Sequence, residues 1–154
     1  YTNFPRIPVW MLTEVISFGA LSFFYKGLRN HQQAGVEDKK EIASYFDLHH
    51  KQLGDWLHTL TYVRNVCAHH SRLWNRKLAI RTAAKQAKWR PPIAPRNDKV
   101  FYILSMLRHL LRQSGNGDDW AGQITQLLNP ICSNSAFRQA MGIPEDWQEH
   151  PLWQ

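Results

Sequence analysis

Apolar residues along this chain recur at spacings of three and four, broken by Pro, Gly and Asn, and no stretch alternates with period two, so the pattern predicts an all-α domain. The first helix is expected from about Val9 to Leu28, opened by Pro8. It is apolar on nearly every side, through Val9, Trp10, Met11, Leu12, Val15, Ile16, Phe18, Leu21, Phe23 and Phe24. A membrane span needs about 20 apolar residues; this stretch is barely that long and carries Thr13, Glu14, Ser17 and Ser22. It therefore reads as a buried central helix, in which Glu14 would need a cationic or hydrogen-bonding partner.

A short second helix is expected over Glu37 to Phe46 and a long third one over about Leu48 to His70. In the third, Leu53, Trp56, Leu60, Val63 and Cys67 form one apolar stripe facing the core. The pattern loosens from Ser71 to Arg96, where a long surface excursion is expected, with a helical piece at Leu78 to Lys88 and an end in Arg90-Pro91-Pro92 and Pro95. Helical periodicity resumes with Asp98 as N-cap and Val100, Phe101, Ile103, Leu104, Leu107, Leu110 and Leu111 inside, stopping at Gly115-Asn116-Gly117. Two shorter helices, near Trp120 to Leu128 and Ser135 to Met141, and a Trp-containing tail complete a single domain over 1–154.

Composition sharpens this picture at one place. The 154 residues carry a net charge of +7. Nine basic residues and no acidic one lie between Arg64 and Arg96, whereas the rest of the chain is slightly acidic. A run of like charge reads as a solvated face or as a track for a polyanion. Trp74 and Trp89 within the run favour the second reading, because indoles stack on bases while Arg and Lys hold phosphates. The two cysteines, Cys67 and Cys132, are far apart and no secretory signal precedes them, which fits a reducing cytoplasm and no disulfide framework. The chain begins at Tyr1, which suggests a piece of a longer protein whose N-terminal region is absent.

The densest reactive cluster is Arg64-Asn65-Val66-Cys67-Ala68-His69-His70-Ser71-Arg72, at the end of the long helix. Asn65 and His69, four residues apart, share a helix face, and Arg64 flanks it, so the three can converge on one small anion. That set suits cleavage of an RNA phosphodiester without a metal. An imidazole exchanges protons near neutral pH, a guanidinium holds a phosphate through paired hydrogen bonds, and the ribose 2′-OH is the internal nucleophile that DNA lacks. One histidine serves poorly as both acid and base, which makes a site built across a two-fold dimer attractive. Taken singly, each of these residues also reads as a helix-end cap or a structural contact. Cys67, on the apolar stripe, reads as core rather than nucleophile. A metal set of Cys67, His69 and His70, with His49 and His50, lacks ligand spacing of known type, and no metal or other cofactor is expected.

Arg64-Asn65, three residues and then His69 resembles the Arg, four-to-six residues, His signature of the HEPN superfamily (higher eukaryotes and prokaryotes nucleotide-binding domains). The run RNVCAHHSRLWNR from Arg64 to Arg76, with PVWMLTEVISFGALSFFYKGL from Pro8 to Leu28, resembles the Abi family of bacterial abortive-infection proteins, and the similarity extends through most of the chain. The resemblance implies an α-helical, dimeric, metal-independent ribonuclease of phage defence, toxic to the cell when activated. Carried over by position, it makes Arg64 and His69 catalytic and Asn65 their polar support, with Trp74-Asn75-Arg76 a family feature beside them. Ser71 stands two residues after the histidine, where some members carry a tyrosine that receives AMP, so that control is not expected here.

The expected function is thus a metal-independent endoribonuclease leaving 2′,3′-cyclic phosphate and 5′-OH ends. His70, Arg72, Trp74, Arg76 and Lys77 are expected to contact RNA, and Glu14 and Ser17 to support the site from the first helix. Expected partners are tRNA or another cellular or phage RNA, a second copy completing the site, and an antitoxin or regulator, with no membrane. The rival reading is a non-catalytic helical module that binds RNA, a nucleotide or a protein.

Overall fold

In the computed structural model, the described residues are 8–28, 38–80, 82 and 95–154. Among them are seven α-helices and no strand: α1 (Val9–Val15), α2 (Phe18–Gly27), α3 (Asp38–Tyr45), α4 (His50–Ala68), α5 (Val100–Gln113), α6 (Asp118–Cys132) and α7 (Ser135–Met141), followed by a 3-10 turn at Trp147–Glu149. The all-α expectation holds. No described helix is long and apolar enough to cross a membrane.

Helix α4 packs along α2 and α3, and α5 contacts α6, which packs on α7. The main core joins Trp56 and Leu60 of α4 to Phe101, Ile103 and Met106 of α5 and to Met141, Ile143 and the C-terminal tail. Trp56 is fully buried and meets the His109 ring edge-on at 5.4 Å, while His109 Nε2 lies 2.8 Å from the Phe46 carbonyl after α3. Phe101 stacks on Trp153 and meets Trp147 edge-on, so the tail is part of the core rather than an appendage. Buried Arg108 fastens it by donating from Nε to the Leu152 carbonyl at 2.9 Å and through its terminal nitrogens to Asp118. A smaller core of Tyr25, Ala43 and Leu53 joins α2, α3 and α4, and the Tyr25 hydroxyl donates toward the Lys39 and His50 carbonyls, each at 3.1 Å.

Several expectations are corrected. The first helix is two, because the chain is extended at Ile16 and Ser17, and the Ser17 hydroxyl accepts from Ala20 N at 3.1 Å to start α2 afresh. It is also not a buried central helix: α1 has no buried residue, and Glu14 is exposed and needs no buried partner. Cys67 is exposed rather than core, since the buried side of α4 shifts to Val66 in the last turn. Asp98 does not cap α5. Its buried carboxylate is held by the Arg96 fork at 3.0 and 3.1 Å, and Lys99 stands at the N-cap.

Residues 78–80 are not helical. Leu78 is fully buried and bonded through its N–H to the Asp98 carbonyl, so the start of the expected surface excursion is tied into the core. The rest of the expected helical piece, with Arg81, Lys85, Lys88, Trp89 and Arg90, lies outside the described residues. Helix α6 continues past Leu128 to Cys132 with Pro130 inside it.

Four helices end alike. After α3, α4, α5 and α7 one residue turns left-handed, and the next N–H bonds back to the carbonyl five residues earlier. Gly115 and Gly142 fill two of these places, but Asp47 and His70 fill the others. At Gly142 the choice is enforced twice, by φ +75 and by Lys99, whose Cβ would lie 2.5 Å from an added methyl. Gly142→Ala is therefore expected to lower stability by roughly 2 kcal/mol or more in urea unfolding. Gly122→Ala, with nothing within 4 Å, should be neutral or gain up to about 1 kcal/mol. Equal effects of the two would contradict this assignment.

Burial raises the Tyr102 phenol above its ordinary 10.0, partly opposed by its bond to Thr82. The folded chain then keeps that proton at pH values where the unfolded chain has lost it, so stability falls as pH climbs past about 10. A smaller alkaline loss is expected in Tyr102→Phe than in wild type, measured as urea midpoints on either side of that pH; parallel losses would dismiss the buried phenol as a cause.

Candidate functional site

The last turn of α4 is built by helical phase. Burying Trp56, Thr59, Leu60 and Val66 turns Asn65 half a helix circumference from Trp56 and sends it to solvent. Arg64, Asn65, His69 and His70 are all exposed. The Arg64 guanidinium donates to Asn65 Oδ1 at 3.1 Å, and the His69 backbone N–H donates to the Asn65 carbonyl at 3.0 Å. His69 is the C-cap, in a non-helical conformation. Two of the three expected catalytic side chains are thus in direct contact, and the third follows one turn later on the same exposed end.

His70 occupies the left-handed position that closes α4, with φ 53. Its N–H bonds to the Cys67 carbonyl at 2.9 Å and that of Ser71 to Val66 at 3.0 Å, which turns the chain sharply away after the helix. A left-handed residue other than Gly or Asn costs about 1–2 kcal/mol.

Beyond the turn, Arg72 and Lys77 are exposed and Arg76 is half-buried, its guanidinium donating to the Arg72 carbonyl at 3.4 Å. Trp74 is half-buried, packed on the main core and edge-on to Phe137 of α7 at 5.6 Å, so its ring is engaged in packing. The neighbouring Asn75 is left-handed and its Oδ1 accepts from Lys99 at 3.3 Å. Lys99 thereby adds a cation beside the Trp74-Asn75-Arg76 stretch, a placement that its distance of 24 residues from Asn75 hides in the sequence. Arg96, last of the basic run, is instead paired with Asp98.

Ser17 and Glu14 stand apart. The Ser17 hydroxyl is occupied as the cap of α2, and Glu14 is exposed on α1. The start of α2 does lie against α4, since a Cβ on Gly19 would come within 3.3 Å of the Thr61 methyl, three residues before Arg64. The hydrogen bonds of Ser17 and Arg64 go to Ala20 and Asn65, not to each other. Among the described residues, no three His, Cys, Asp or Glu side chains are grouped so as to hold a metal ion.

Residues 1–75, just under half of the chain, match the family model described as Abi-like protein. That match supports Abi-family kinship for this part, which contains α1 to α4 and the whole Arg64–His70 cluster. It stops at Asn75, short of the similarity through most of the chain that the sequence suggests. No curated protein and no solved structure matches the chain.

The conformation of His70 has a measurable consequence. His70→Gly should raise stability by about 1 kcal/mol in urea unfolding, because glycine adopts the left-handed turn without a Cβ penalty. Arg64→Ala and His69→Ala, both exposed, should stay within about 0.5 kcal/mol of wild type. A destabilised His70→Gly would mean that the imidazole supports the fold.

Proposed function

We propose that this chain is a metal-independent endoribonuclease of bacterial abortive-infection phage defence, working as a homodimer. The observation that carries the reading is the Arg64–Asn65 pair at 3.1 Å on the exposed end of α4, with His69 one turn on. The Abi-like match over the same segment supports the biological setting.

In this reading Arg64 grips two oxygens of the scissile phosphate and offsets the charge that builds up on them in the transition state. Asn65 spends its carboxamide oxygen on Arg64, which leaves its NH2 to donate to the phosphate and orient it. His69 acts in proton transfer. The imidazole of one copy takes the proton of the ribose 2′-OH as that oxygen attacks phosphorus, and the imidazole of the second copy gives a proton to the departing 5′-oxygen. The P–O5′ bond breaks as the P–O2′ bond forms, leaving a 2′,3′-cyclic phosphate and a 5′-OH. Arg72, Arg76, Lys77 and His70 hold the flanking backbone, and tRNA or another cellular or phage RNA is the substrate.

The test is incubation of wild type and His69→Ala with total RNA and tRNA in EDTA, reading fragments and their ends. Cyclic-phosphate fragments are expected from wild type, with a loss of at least about 100-fold in the variant and unchanged helical circular dichroism. Equal cleavage by both would remove His69 from the chemistry. Intact RNA in both, with binding retained, would replace the enzyme by a helical module that binds RNA without cutting it.

A further inference from the structure

The outer side of α4 carries more than the Arg64–His69 cluster. Before Asn65 it continues for two turns through half-buried Tyr62 and exposed His58. At 100° and 1.5 Å per residue, His58, Tyr62 and Asn65 fall within about one sixth of the helix circumference, and Tyr62 stands roughly 5 Å along the axis from Asn65 and roughly 10 Å from His69. Its side chain packs against the main core, so the phenol ring is a supported surface at the edge of the site rather than a mobile one. Trp74, the aromatic residue that the basic run offers for base stacking, is engaged elsewhere, against the core and edge-on to Phe137 at 5.6 Å. Exposed Asp55, on the same side of α4 nearly one turn before His58, sets a carboxylate at the far end. A polyanion held at Arg64 therefore has about two turns of α4 to lie on before it meets like charge.

We propose that Tyr62 is a stacking platform for the base beside the phosphate held at Arg64, so that the site takes single-stranded RNA laid along α4 from His69 toward His58. The proposal rests on the ribonuclease reading for its phosphate and adds a contact to the base. An aromatic face accepts any base, because every base has a π-face. Inside a duplex both faces of a base are covered by its neighbours, so recognition by stacking selects unpaired strands. An unpaired nucleotide is also able to swing its 2′-OH into line with the P–O5′ bond, as the attack requires. The Arg64 guanidinium is drawn to Asn65 at 3.1 Å, one turn from Tyr62, so phosphate and base of one nucleotide are fixed at two neighbouring points. That choice of linkage is what brings one 2′-OH to His69 rather than the next.

The test reads binding and not cleavage. DNA lacks the 2′-OH and is not cut in the ribonuclease reading, so the probes are a single strand of about 12 thymidylates and the same backbone with tetrahydrofuran in place of every base. At low salt the full chain should bind the thymidylate strand roughly tenfold more tightly than the abasic one. Tyr62→Leu keeps an apolar side chain on the core and should lose most of that preference, weakening on the thymidylate strand alone with unchanged helical circular dichroism. Tyr62→Phe keeps the ring and should bind both strands as wild type does. A preference absent from wild type, surviving in Tyr62→Leu or vanishing in Tyr62→Phe would overturn the proposal, and equal loss on both strands in Tyr62→Leu would make the ring a structural support only. A Tyr62-dependent preference in a chain that leaves RNA intact would strike the ribonuclease reading and keep the platform.

Discussion

Burial of Trp56 sets the orientation of everything on α4. The indole is fully enclosed and its neighbour His109 on α5 is tied to the Phe46 carbonyl, so α3, α4 and α5 are locked to one another at that point. Once Trp56 faces inward, the helical repeat turns Asn65 to the opposite side, and burial of Val66 holds the last turn in that phase. The exposed Arg64, Asn65 and His69 are thus the outer side of a helix whose inner side is the core. A substitution that rotated α4 would turn the whole cluster away from solvent without touching any of its members.

The end of α4 shows a different constraint. The chain needs a left-handed residue there to turn away, and it places His70 where glycine would serve better for stability. Asp47 does the same after α3, so a left-handed non-glycine is not by itself a mark of function. His70 differs in following Arg64, Asn65 and His69 on the exposed end of α4, at the start of the basic run.

Periodicity made α4 and α5 legible, because each sets a buried stripe against a more exposed face. The glycine after α5 marked its end for the same physical reason that it caps it. The break between α1 and α2 was not legible, since Ser17 looks like any helical serine until its hydroxyl is seen accepting from Ala20. Hydrophobicity alone put α1 in the core, yet an apolar run is equally suited to a surface that a partner covers. Asp98 resembled an N-cap in sequence but is claimed by Arg96, and the tail's Trp153 gave no local sign that it stacks on Phe101 across the fold. The Arg-Asn-His spacing was legible because it is local. The arrival of Lys99 beside Asn75 was not, because it depends on how α5 packs.

The central claim is that the end of α4 uses the substrate's own 2′-hydroxyl to break RNA. The most direct measurement replaces a single ribose by 2′-deoxyribose at a mapped cut position in an otherwise unchanged RNA. The account requires that cleavage vanish at that position while neighbouring cuts persist at their former rate. Undiminished cleavage at the deoxy position would mean that the nucleophile comes from elsewhere, and the roles given to Arg64, Asn65 and His69 would fall with it.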